Sequence, residues 1–204
     1  MFLLLGGTFA TKQLSAQTVA DIFKSETPIT WLGVDYSDMR FIGPLDVNPS
    51  QLDEFAKTLN DLFLREPKKY DVAAPFDKQT VTSNLKYVEK ANAAMNTDQT
   101  LSSDSKDMTR FSMETVAKKV GTYGLSEKGI GLVYITEALN KNDQEAAYWV
   151  TFVNMADGKV LLTERVTGKA VGFGFRNYWA GSFYGTLKQI KGGLYKDWKK
   201  KYSK

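Results

Sequence analysis

The chain of 204 residues contains no histidine and no cysteine. Without histidine there is no imidazole base near neutral pH and no Ser-His-Asp triad. Without cysteine there are no thiol nucleophiles, disulfides or iron–sulfur clusters, and zinc sites built on either residue type are excluded. Carboxylate-pair hydrolysis and hard-metal binding remain open. Because the sequence shows no compact polar constellation, we expect no catalytic residue, no metal and no cofactor.

Proline and glycine are also sparse, with 5 and 16 residues, which excludes collagen-like and low-complexity chains. The chain is 43% hydrophobic and 25% charged, close to the averages for soluble folded domains. Its length fits one domain with a single core. No apolar run reaches the roughly 20 residues that a membrane-spanning helix needs, so we do not expect a transmembrane protein.

The first 17 residues are typical of a secretory signal peptide. Residues 1–10, MFLLLGGTFA, form an apolar run of signal length, and residues 14–17, LSAQ, offer a cleavage site after Ala16. No basic residue precedes the run, and the alternative is an ordinary N-terminal strand or helix. We predict that residues 1–17 are a signal peptide and that the mature protein is periplasmic or secreted. Without cysteine, a bacterial lipid anchor is excluded.

The first half of the mature chain combines one strand with helices. Residues 29–36, ITWLGVDY, mix β-branched and aromatic residues, as strands do. Apolar residues at helical spacing behind an Asn-Pro start predict a helix over 49–66. The stretch 68–95 is ambiguous, and we favour a helix there. Residues 96–107 are predicted to be a polar loop.

The last third of the chain predicts a meander of three strands, at 130–139, 146–155 and 160–166. The dipeptide Asp157-Gly158 is typical of a two-residue hairpin turn. Asn177 is predicted to cap a final helix. The whole pattern predicts an α+β fold, with a single domain over 18–191, a mainly antiparallel sheet that ends in this meander, and helices packed on the sheet.

The predicted two-residue turn also fixes which side chains face each other in the hairpin. It places Trp149 opposite Val166. Glu137 on the preceding strand then shares a face with Tyr148, so that a polar cluster of Glu137, Tyr148 and Arg165 is geometrically open. The alternative is that these three are unrelated, solvated side chains.

Residues 168–179, GKAVGFGFRNYW, are the most unusual stretch, with three glycines and four aromatic residues directly before a predicted helix. Free N–H groups at a helix start and an arginine can bind an anion, although no Walker or dinucleotide pattern is matched. The alternative is a structural corner in which Phe173 and Phe175 belong to the core. The predicted binding surface consists of Arg176, Asn177, Tyr178, Trp179, Lys169 and Arg165.

Positive charge is concentrated at the C-terminal end. The net charge is +4, but residues 186–204 carry seven lysines and one aspartate, so the rest of the chain is net −2. We predict a Lys-rich tail over 192–204, which can contact an anionic surface or an acidic polymer. Nucleic acid is not an expected partner, because the protein is predicted to be exported. The alternative is a solvated tail with Trp198 packed on the body.

Two stretches carry a resemblance to a known group of proteins. The end of the predicted signal, Ser15-Ala16-Gln17, resembles that of exported proteins of the Bacteroidetes group. Residues 158–191, GKVLLTERVTGKAVGFGFRNYWAGSFYGTLKQIK, resemble the C-terminal part of uncharacterised secreted or periplasmic proteins of that group. No established activity comes with this family, so no site residue is carried over. The element order also resembles, at the level of the fold, TolB N-terminal-type domains of envelope assembly factors.

The sequence therefore favours an exported, non-catalytic binding or assembly domain of the bacterial cell envelope. Its expected partner is an envelope protein or an anionic ligand. The alternative from the enzyme class is a glycan hydrolase that uses two carboxylates drawn from Glu137, Glu164 and Asp35. A third hypothesis is peripheral attachment to an anionic envelope surface through the Lys-rich tail.

Overall fold

The computed structural model describes residues 17–202, so that the predicted signal peptide, apart from Gln17, lies outside the described residues. The helices in this range are α1 (Val19–Ile22), α2 (Leu52–Arg65), α3 (Lys86–Ala93), α4 (Met113–Gly121), α5 (Phe175–Gln189) and α6 (Tyr195–Tyr202). The strands are β1 (Ile29–Asp35), β2 (Arg40–Ile42), β3 (Val81–Ser83), β4 (Leu101–Ser102), β5 (Ile130–Asn140), β6 (Glu145–Asn154) and β7 (Lys159–Lys169). A π-helical turn, Ile190–Leu194, joins α5 to α6.

All seven strands of the described chain form one mixed sheet around β5. β6 pairs antiparallel along one edge of β5, and β7 pairs antiparallel with β6. On the other edge, β1 runs parallel to the first half of β5 and β2 runs parallel to its second half. β3 extends the sheet beyond β1, and β4 extends it beyond β2. The α+β class and the C-terminal meander are therefore confirmed.

The prediction of a mainly antiparallel sheet is wrong, because four of the six strand pairings within residues 17–202 are parallel. A tight turn is enough for antiparallel pairing, whereas parallel pairing needs a long crossover. Tight turns join β5, β6 and β7, which pair with one another, whereas helices separate β2, β3, β4 and β5 from one another along the chain. The short link 36–39 between β1 and β2 does not pair these two strands, because both lie along the same edge of β5. β2, β3 and β4 have only three, three and two residues, too few to show the alternation that reveals a strand in a sequence.

The stretch 68–95, which we predicted to be helical, is α-helical only in α3, with a short 3-10 helix at Ala74–Phe76. Val81–Ser83 instead forms β3 and pairs with the start of β1. Tertiary pairing therefore overrides a local pattern that suits either structure.

Helices cover both faces of the sheet. α5 packs on β6 and β7 and contacts α2. Phe183 of α5 stacks on Phe63 of α2, with 4.2 Å between ring centroids, and lies 5.0 Å from Tyr134 of β5. On the opposite face, α4 contacts β7, and the turn Ser105–Thr109 contacts β5. These aromatic and aliphatic contacts form one continuous core.

The turn between β6 and β7 has four residues, 155–158, and not two. Gly158 has φ +70°, and its N–H bonds to the carbonyl at the end of β6, so this glycine closes a longer turn. Together with a register shift between Phe152 and Val153, this four-residue turn changes which residues of β6 and β7 face each other. The predicted pairing of Trp149 with Val166 is therefore wrong, and Arg165 stands opposite Trp149.

The C-terminal Lys-rich segment forms α6 and lies against the body. Tyr195 and Trp198 are 9% and 6% exposed. The Tyr195 hydroxyl donates to the carbonyl of Ile22 at 2.6 Å, which ties α6 to α1. Between residues 17 and 202, none of the helices has the length and apolar character needed to cross a bilayer.

Candidate functional site

A short loop, residues 170–174, joins β7 to α5, and we call it the corner loop. The backbone around it lies directly against α5. A Cβ on Gly168 would stand 2.1 Å from the carbonyl oxygen of Ser182, and a Cβ on Gly181 would stand 1.9 Å from that of Val171. No other residue type fits at these two contacts, because real Cβ atoms do not approach oxygen so closely. The glycines of this stretch thus fix the corner loop in place.

The two phenylalanines of this stretch lie in opposite environments. Phe175 packs inward, with its ring 4.5 Å from Phe55 and 5.9 Å from Phe41. Phe173 is 95% exposed, the most exposed large apolar side chain in the described part of the chain, and Val171 beside it is 61% exposed. The alternative that both phenylalanines belong to the core is therefore right for Phe175 and wrong for Phe173. Phe173 and Val171 are therefore two exposed apolar side chains on the same short loop.

Three of the predicted binding residues lie in the first turn of α5. The helix starts after its N-cap Gly174, so the predicted cap at Asn177 is wrong. Arg176 and Asn177 are exposed, and Arg176 Nε lies 3.4 Å from Asn177 Oδ1. Among residues 17–202, no carboxylate forms an ion pair with Arg176. The ring of Tyr178 lies 4.4 Å from Lys141 Nζ.

The other three predicted binding residues are more scattered. Trp179 is 1% exposed and packs edge-on against Phe41 at 5.6 Å, so it belongs to the core. Lys169 is exposed beside the corner loop, 3.6 Å from Glu145. Arg165 lies further back on β7, on the sheet face away from α5. The structure thus groups Lys169 and the first turn of α5 around the corner loop, and binding by this surface stays a prediction.

Arg165 forms a buried ion pair with Glu137. Glu137 is 0% exposed at an irregularity in β5, and its Oε2 accepts from Arg165 Nε at 2.7 Å and from Trp149 Nε1 at 3.2 Å. The backbone N–H of Phe111 donates to Oε1. Tyr148 points to the other face and bonds to a hydroxyl of α5. Two members of the predicted polar cluster therefore meet, and the third does not.

The three carboxylates of the hydrolase alternative lie in separate contact networks. Glu137 is held by Arg165. Asp35 accepts from the Tyr123 hydroxyl at 2.6 Å, and burial raises the pKa of Tyr123 well above its ordinary value. Glu164 bonds to Lys201 at 2.7 Å. Each carboxylate is therefore engaged with its own partners, and no contact joins two of them across a cleft.

The sequence did not predict a polar cleft of about 290 Å³ between α3 and α4, at the carboxyl end of β1. Lys119 in its wall lies 2.8 Å from Asp38 and 3.7 Å from Asp35, so the charges at its base satisfy one another. The available signal was Asp35, an acidic residue at the end of a buried strand, where open sheets often place ligands.

Comparisons with known proteins do not identify a family for this chain. No family model matches the chain. No curated protein matches it either. Among solved structures, the chain is similar to the LpoB C-terminal domain from Salmonella enterica, with 13% identity and a TM-score of 0.31 over 74% of this chain and 92% of that one. A likeness of this size assigns neither a fold family nor a function. Membership of an exported Bacteroidetes family and the likeness to TolB N-terminal-type domains stay predictions.

Proposed function

We propose that this chain is a non-catalytic binding domain of the bacterial cell envelope that contacts a partner protein through the corner loop. The observation that carries the proposal is Phe173, whose ring is 95% exposed on a loop held by backbone contacts with α5. Burial of such a side chain against a partner contributes about 1.5–3 kcal/mol. In the free domain this side chain stays exposed to water.

The surroundings of Phe173 suit a protein partner. Val171 adds exposed apolar surface, and Arg176 offers a planar donor group without an ion-pair partner in residues 17–202. Aromatic residues and arginine are the residue types that dominate protein interfaces. Because the glycine contacts already fix the loop, binding loses little entropy in ordering it.

The envelope location rests on the sequence alone. Residues 1–17 have the apolar core and small-residue cleavage site of a secretory signal, and we infer a periplasmic or secreted protein. The partner is then a protein that shares this compartment.

A photo-crosslinking amino acid at position 173 tests the proposal in intact cells. We expect a discrete crosslinked product that excess unlabelled domain suppresses. Position 113 is the matched control, because Met113 is also an exposed apolar residue, at 63%, but lies on α4. The proposal is wrong if position 173 gives no discrete product, or if position 113 gives the same one.

A further inference from the structure

A second surface lies at the other end of α5, where a cleft of about 180 Å³ opens between α5 and the segment that follows α2. Tyr184 and Leu187 of α5 lie in it beside Ala74 and Pro75. Four lysines line it and define what we call the basic cleft: Lys68, Lys69, Lys188 and Lys191.

The four lysines keep their charge available. All are exposed, and within residues 17–202 none of them pairs with a carboxylate. Asp71 is the one acidic residue in the lining, and its Oδ1 already accepts the N–H groups of Ala73 and Ala74, at 2.8 and 3.2 Å. Four lysines against the one aspartate give the lining of the cleft a formal net charge of +3.

Aromatic rings set the position of two of these lysines. Lys69 Nζ lies 4.9 Å from the ring centroid of Tyr70, and Lys188 Nζ lies 5.3 Å from that of Tyr184. The two rings meet edge to face at 6.2 Å. A lysine above an aromatic face keeps its charge at the surface while its stem packs on the ring.

We propose that the basic cleft docks the protein on the phosphate groups of an anionic bilayer surface. The lysines are point charges at the rim of a shallow cleft, and its lining residues include no buried polar side chain that would select one small anion. An array of lipid phosphates matches such a surface. Two of the four lysines, Lys188 and Lys191, belong to residues 186–204, which are net +6, whereas the rest of the chain is net −2.

The basic cleft and the corner loop lie at opposite ends of α5. α5 has 15 residues and is therefore about 22 Å long. The basic cleft lies at its C-terminal end and the corner loop at its N-terminal end, so the two surfaces are separate sites on the domain. The inference stands on the lysines alone and does not depend on a protein partner for Phe173.

Co-sedimentation with lipid vesicles tests the proposal. The cleft variant combines Lys68→Gln, Lys69→Gln, Lys188→Gln and Lys191→Gln. The control variant removes the same charge at four exposed lysines elsewhere that also lack ion pairs within residues 17–202, and combines Lys106→Gln, Lys118→Gln, Lys128→Gln and Lys159→Gln. Both sets lie on the surface, and equal melting temperatures establish that both variants fold.

We expect the wild type to bind mixed phosphatidylglycerol–phosphatidylcholine vesicles at low salt, to bind pure phosphatidylcholine poorly, and to be released by high salt. Each cleft lysine should contribute about fivefold, so the cleft variant should lose a hundredfold or more, and the control variant less than about tenfold. Equal losses in both variants, or no binding of the wild type to mixed vesicles, would overturn the proposal. So would release by inorganic phosphate well beyond that by sodium chloride of equal ionic strength, because the cleft would then select a soluble anion.

Discussion

The buried pair of Glu137 and Arg165 gives the most quantitative prediction about stability. Arg165→Met leaves the fully buried Glu137 carboxylate without its cation, although the donors from Trp149 and the Phe111 backbone remain. Removing one partner of a buried ion pair costs about 3–5 kcal/mol. Glu137→Gln keeps an acceptor oxygen, and Arg165 can still reach water because its side chain is 29% exposed. We therefore expect this variant to lower the free energy of unfolding by about 2 kcal/mol.

The double variant, which combines Glu137→Gln with Arg165→Met, measures the interaction between the two charges separately from their contacts with other residues. With both charges gone no buried ion is left uncompensated, so we expect the two variants together to cost about 2 kcal/mol less than the sum of the single costs. The assay is urea unfolding of the wild type, both single variants and the double variant.

A more exposed ion pair, between Glu164 of β7 and Lys201 of α6, provides the control. Lys201 and Glu164 lie 2.7 Å apart, but the lysine side chain is 60% exposed, so Lys201→Met should cost less than about 1 kcal/mol. The reasoning is refuted if the costs of the Glu137 and Arg165 variants add within about 0.5 kcal/mol, or if Lys201→Met costs as much as Arg165→Met.

Three further predictions address the corner, a buried lysine and export. Gly181→Ala should lower the stability in thermal unfolding by about 3 kcal/mol or more, because its Cβ would stand 1.9 Å from a carbonyl oxygen. Gly185→Ala is the control and should be tolerated, because no atom lies closer than 3.9 Å to the added Cβ. Burial lowers the pKa of Lys78 to about 8, so wild-type stability should rise as pH increases from about 8 to 10.5, and Lys78→Met should abolish this rise. Cell fractionation with N-terminal sequencing should find the mature protein outside the cytoplasm without Met1, and intact cytosolic protein would contradict the export hypothesis.

Elements with strong local signals could be predicted from the sequence. The helix over 49–66 has a start signal at Asn48, whose side chain accepts from Ser50 N–H, and an apolar stripe that packs against the body. The three strands of the meander are long and apolar. The parallel arrangement was missed because β2, β3 and β4 are held by their neighbours in the sheet and carry almost no periodic signal of their own.

The candidate surfaces could be predicted only in part. The corner at Gly172 was recognised from its composition, but Phe173 and Phe175 look alike in the sequence, and only the path of the backbone separates the exposed ring from the packed one. The basic cleft unites Lys69 with Lys188, which lie more than a hundred residues apart in the chain. The count of charges along the sequence pointed to the C-terminal segment that contains Lys188, but it gave no signal for Lys69.

The most direct test of the account is the effect of Phe173→Ala on two quantities, the free energy of unfolding and the affinity for the partner captured at position 173. Because the ring is 95% exposed, we expect the free energy of unfolding to change by less than about 0.5 kcal/mol. The affinity should fall by about 30-fold, as expected when a central aromatic contact is lost. Unchanged affinity with unchanged stability would contradict the claim that this domain works through its corner loop.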